Sequence, residues 1–137
     1  MIPAPALWLG LAGALPFWAA AVMRLSAISP LGFDPAQIAI AYGAVILSFL
    51  GGIRWGTGLQ PLGKGERGRV FSISVLASLA GFAALLIPPV PATALLIAGF
   101  FLQALWDVSS AQAGRVPHWF GRLRVLLTGL VVLPLLC

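Results

Sequence analysis

Apolar positions fall into five long runs, separated by prolines, charges and turn residues. They extend over about residues 3–23, 35–59, 70–87, 91–112 and 119–136. A spanning helix needs roughly 20 residues to cross about 30 Å of hydrocarbon. Each run is of that order once its flanks are counted. The pattern therefore predicts an all-α, polytopic membrane protein, a bundle of five transmembrane helices in a single transmembrane domain.

The run ends carry their own chemistry. Asp34-Pro35-Ala36-Gln37 offers an acidic N-cap, a proline at the first helical position and a glutamine at the third, so a helix is expected to start at Pro35. Pro88-Pro89-Val90-Pro91 predicts a tight turn between the third and fourth helices, and Pro117 opens the fifth. Pro16 lies inside the first run and predicts a kink that a membrane bundle tolerates. Ala92 to Trp106 is 15 residues, which reach only about 22 Å. The fourth helix is therefore expected to continue through Asp107 towards Gln112, bringing Asp107 to headgroup depth or to the bundle interior.

Composition points to the same solvent. Over 137 residues, 61% are hydrophobic and 8% charged, against roughly 25% charged in an ordinary soluble domain. So few charges cannot cover a water-facing surface, and so apolar a chain is not disordered. The lone cysteine, Cys137, makes no internal disulfide and rules out a multi-cysteine metal site. No Lys or Arg precedes Arg24, so neither a cleaved signal nor a transit peptide is expected and the first run reads as a retained helix.

The formal net charge is +5. The basic residues lie between apolar runs and no nucleic-acid motif accompanies them, so they read as topology signals facing anionic headgroups. With five spans, Arg54, Lys64, Arg67, Arg69, Arg115, Arg122 and Arg124 share one side and only Arg24 lies on the other. The positive-inside rule then sets the N-terminus in the cytoplasm and the C-terminus outside.

Two groups of residues stand out. Ser48, Gly52 and Gly56 recur at four-residue spacing on one face of the second helix. Small residues there let another backbone come close, either within the chain or in a partner subunit. Arg54, Gln103, Asp107, Arg122 and Arg124 form an expected polar cluster at the cytoplasmic helix ends. An acid near the membrane is costly without a partner, so Asp107 is expected to pair with Arg54, Arg122 or Arg124. His118 has no second His or Cys to complete a metal site. Lys64-Gly65-Glu66-Arg67-Gly68-Arg69 lacks the phosphate-loop pattern and reads as a solvated basic loop. The acids are Asp34, Glu66 and Asp107, and no serine has a supporting histidine and acid, so catalysis by the chain is not expected.

The second-helix stretch Tyr42-Gly43…Ser48-Phe49…Gly51-Gly52…Arg54-Trp55-Gly56 resembles the signature of a small bacterial and mitochondrial inner-membrane family of unknown function, which includes animal transmembrane protein sixty-nine. Gly10…Pro16-Phe17, Asp107 and Pro117…Trp119-Phe120…Leu123-Arg124…Leu127-Thr128 extend the resemblance along nearly the whole chain. It implies a five-helix inner-membrane protein and supplies no activity. The mitochondrial members point to an energy-transducing membrane, and the absence of a transit peptide favours a bacterial inner membrane here.

The function expected is that of a non-catalytic accessory subunit or assembly factor of a larger membrane complex, without cofactor or metal. Its partners would be anionic lipid headgroups at the cytoplasmic face and other membrane subunits, not nucleic acid. The alternative is a small oligomeric channel or transporter. That reading would need polar residues near mid-membrane, for which Ser48, Ser74, Ser78, Thr93 and Gln103 are the candidates, and it would gain if Ser48, Ser74 and Ser78 converged on one water-filled cavity.

Overall fold

The computed structural model describes residues 1–137 and is all-helical. The α-helices are α1 (Ala4–Ser26), α2 (Pro35–Gly58), α3 (Lys64–Leu86), α4 (Pro89–Gln112) and α5 (His118–Leu136), with one short 3-10 turn at Pro30–Gly32. At 19 to 24 residues they reach about 28 to 36 Å, and all five are long and apolar enough to cross a membrane.

Local chemistry sets the ends. Asp34 caps α2: its carboxylate Oδ1 accepts the Ala36 N–H at 3.0 Å and its carbonyl accepts the Ile38 N–H at 3.1 Å. α1 runs on through Pro16 to Ser26, where Ala27 turns left-handed at φ 53° and ends it. Two boundaries differ from the sequence pattern. The Lys64–Arg69 segment is helical, not a loop, so α3 begins six residues before Val70. Gly63 precedes it in an extended conformation, its carbonyl takes the Arg67 N–H at 2.9 Å, and Glu66 sits in the first turn, where a negative charge suits the helix dipole. The proline-rich turn is also shorter than expected. Pro89 and Pro91 both lie in the first turn of α4, where the missing N–H groups have no helical partner to lose.

The chain divides into two compact units, residues 1–39 with 100–137, and residues 40–99. In the first, α1 packs along α5. Gly10 makes the approach possible, since a Cβ there would come within 2.9 Å of Leu127 Cδ1. Phe17 and Phe100, both fully buried, meet edge to face with ring centroids 6.1 Å apart. In the second unit α2 and α3 touch backbone to backbone. A Cβ on Gly51 would lie 2.6 Å from the Ser74 carbonyl oxygen, and one on Gly81 would lie 2.9 Å from that of Ala44. Trp55 stacks, tilted, on Phe71 at 4.3 Å. Lipid-sized apolar side chains such as Leu15, Phe49, Phe82, Leu102 and Leu133 point outward. In water that surface would aggregate; in hydrocarbon it is at rest.

Candidate functional site

Polar groups inside an apolar protein mark where chemistry or tight specification is held. On α4, Gln103, Asp107 and Ser110 are buried at helical spacing, on the face that also carries Phe100, Ala104 and Ala111. On α5, Arg124 and Thr128 are buried one turn apart. Arg124 Nε donates to Asp107 Oδ2 at 2.7 Å, with side chains only 7% and 4% exposed. The short, charge-assisted bond joins the two helices across the segment that connects them.

Small residues make the approach possible. A Cβ on Gly121 would come 3.0 Å from Ala111 Cβ and 3.7 Å from Val108 Cα. With Gly121 bare, α4 and α5 close up here, and one turn deeper Arg124 reaches Asp107 with its Nε. Of the arginines expected to compete for Asp107, Arg124 is bonded to it, whereas Arg122 is exposed and turned away from the buried cluster. Arg54 is buried on α2, and its carbonyl accepts the Thr57 hydroxyl at 2.7 Å. Thr128 Oγ1 is buried without a hydrogen-bond partner.

The small-residue face of α2 is not one surface. Ser48 is half-buried, and its Oγ lies 3.3 Å from where a Gly81 Cβ would stand. Gly52 and Gly56 are exposed, with nothing within 4 Å of a Cβ built on either. Of the two alternatives for this face, packing within the chain is not what Gly52 and Gly56 do. Gly51, one residue earlier, makes the close contact, because a helix turns 100° per residue and carries Gly52 to the outside. Ser74 bonds its own helix at Val70 O, 2.8 Å away, and Ser78 is exposed, so these hydroxyls do not converge on a common cavity.

Sequence reasoning assigned no packing or polar role to Gly51, Gly81, Ser110 and Thr128, although Gly51 and Thr128 lie in the stretches that carry the family resemblance. Helical spacing was the available signal for the two polar ones: Ser110 follows Asp107 by three residues and Thr128 follows Arg124 by four. His118 is exposed and no group of three His, Cys, Asp or Glu side chains is placed to hold a metal ion.

Five helices of spanning length and a buried ion pair define a multi-pass, all-α membrane protein. Residues 2–137 match the family described as "Protein of unknown function (DUF3429)", and the chain belongs to that family. It is 36% identical over 136 residues to transmembrane protein 69 of Xenopus tropicalis, a match covering 97% of this chain and 53% of that relative. It is 47% identical over 57 residues to transmembrane protein 69 of Mus musculus, covering 39% of this chain and 22% of that relative. The chain thus spans about half the length of the Xenopus relative and less of the mouse one. No solved structure matches it.

Proposed function

We propose that this chain is a non-catalytic subunit or assembly factor that docks against another protein within a bacterial inner membrane, N-terminus inside. The observation that carries the reading is the open Gly52–Gly56 face of α2. Gly10, Gly51, Gly58, Gly81, Gly99 and Gly121 all stand where a side chain would crowd a neighbour. Gly52 and Gly56 are free of such contact, although two glycines at this spacing suit a close helix crossing. Glycine in a lipid-facing helix offers little dispersion contact to acyl chains and lowers helix propensity. Against a partner helix the same groove gains contact along its length. Phe49 and Trp55 flank it as exposed ridges.

Further support for a non-catalytic role is that Asp34 serves as a cap and Asp107 is held in an ion pair, so neither is free for acid–base work. The anionic inner leaflet of such a membrane suits the basic segments at Lys64–Arg69 and Arg115–Arg124. The placement of Ser74 and Ser78 gives no support to a pore.

Purification from native membranes in a mild detergent, with the mass of the intact particle measured, tests the proposal. The wild-type chain is expected in a larger particle with a stoichiometric companion. Gly52→Leu is expected to release that companion while leaving the thermal midpoint of the chain unchanged. A particle containing only this chain, or a companion retained by Gly52→Leu, rejects the reading.

A further inference from the structure

Beside the ion pair, α4 and α5 enclose an open groove of about 230 Å³, lined by Val108, Ala111 and Gln112 from α4 and by His118, Gly121, Arg122 and Val125 from α5. The residues fall at i, i+3, i+4 on α4 and i, i+3, i+4, i+7 on α5, so each helix contributes one continuous face. The order of polarity along the groove is the informative feature. α4 ends at Gln112 and α5 begins at His118, so Gln112, His118 and Arg122 lie towards the connecting segment. Val108 and Val125 lie deeper, and Ala111 with Gly121 forms a smooth floor between them. The groove is therefore basic at its mouth and apolar at depth, the same order as headgroup and acyl chain in a lipid leaflet.

Charge balance defines the headgroup. Arg124 occupies Asp107, the one acid in residues 100–137, so Arg122 at the mouth is not neutralised by it. The first turn of a helix adds positive partial charge at the same end. Trp119 and Phe120, edge to face at 6.1 Å, belong to the same turn and suit an interfacial depth.

We propose that this groove is a binding site for one anionic phospholipid, its phosphate held by Arg122 and His118 at the mouth and the start of an acyl chain laid between Val108 and Val125. The inference is independent of the subunit reading, which concerns the opposite sort of surface, a bare glycine face on α2. A soluble phosphate ion would use the mouth and leave the apolar depth unfilled; a zwitterionic lipid offers Arg122 the same phosphate, but brings a second cation to the already basic mouth and no net negative charge.

Native mass spectrometry of the full chain, purified in mild detergent and supplied with equal amounts of dioleoyl phosphatidylglycerol and dioleoyl phosphatidylcholine, tests the site. One phosphatidylglycerol per chain is expected to be retained in preference to phosphatidylcholine. Arg122→Gln is expected to lower that retention about fivefold, the factor corresponding to the ~1 kcal/mol that a basic residue contributes near anionic headgroups. Arg122 is exposed, so the substitution leaves the fold intact. Val125→Trp is expected to block the apolar end and lower retention as well. Arg24→Gln, outside the groove, is expected to change nothing. Equal retention of both lipids, equal loss with Arg24→Gln, or displacement of the lipid by excess inorganic phosphate would each overturn the proposal.

Discussion

Arg124 Nε and Asp107 Oδ2 lie 2.7 Å apart, and neither side chain is more than 7% exposed. Seventeen residues separate them in the chain, so the bond closes the α4–α5 hairpin at depth. Its value lies mainly in what happens when it is broken. Removing one partner leaves an uncompensated buried charge, which costs about 3–5 kcal/mol, whereas exchanging both for apolar residues of similar volume is often neutral. Asp107→Ala is therefore expected to lower the thermal midpoint in detergent markedly. Asp107→Ala combined with Arg124→Met is expected to recover most of the loss. A double variant as unstable as the single one would show that the pair's attraction, rather than the orphaned charge, dominates.

Gly51 and Gly52 are adjacent, and the structure assigns them opposite roles. A methyl group on Gly51 meets the Ser74 carbonyl oxygen at 2.6 Å, and backbone cannot swing aside as a side chain can. Gly51→Ala is expected to force α2 and α3 apart at a cost of about 1–3 kcal/mol, the usual range for overpacking. Gly52→Ala meets nothing within 4 Å and is expected to leave the thermal midpoint unchanged or slightly raised through helix propensity. Thermal unfolding of the two variants side by side checks this. Equal destabilisation would contradict the α2–α3 crossing.

The difference between those glycines shows what the sequence conveyed and what it withheld. Five spanning helices were legible because hydrocarbon imposes length and apolarity on each element independently. The start of α2 was legible because Asp34 and Pro35 encode it locally. The side of α2 that faces α3 was not, because the helix carries Ala, Gly or Ser at 36, 39, 41, 43, 44, 48, 51, 52, 56 and 58, and only the partner's position selects among them. The start of α3 was misplaced for a related reason. Charges at Lys64, Glu66, Arg67 and Arg69 end an apolar run but do not end a helix, which continues into the interface wherever its backbone bonds can form. For Asp107 the need for an arginine was evident from its charge, while the choice of Arg124 over Arg122 depended on how Gly121 lets α5 seat on α4.

Thr128 supplies a prediction of opposite sign. Its Oγ1 is buried without a hydrogen-bond partner, and the residue is 6% exposed. An unsatisfied buried hydroxyl costs about 1–3 kcal/mol, and valine has nearly the same shape without it. Thr128→Val is expected to hold or raise the thermal midpoint. A clear fall would mean that the hydroxyl is engaged in the membrane-embedded protein.

Orientation in the membrane is the last expectation, and Cys137 provides a native probe for it. It is exposed, and it is the one cysteine in the chain. Seven basic residues lie on one side of the five predicted crossings and Arg24 on the other, so the positive-inside rule directs Cys137 outward. A charged, membrane-impermeant maleimide is expected to label Cys137 on intact spheroplasts. In a Cys137→Ser background, Ser29→Cys is expected to be labelled in the same way, because the α1–α2 connection shares that side. Gly65→Cys, in the basic first turn of α3, is expected to react only after the membrane is permeabilised. Labelling of Gly65→Cys on sealed spheroplasts, with Cys137 protected, would invert the topology and place the basic helix ends on the outer face. The ion pair, the helix crossings and the α4–α5 groove do not depend on that orientation and would stand.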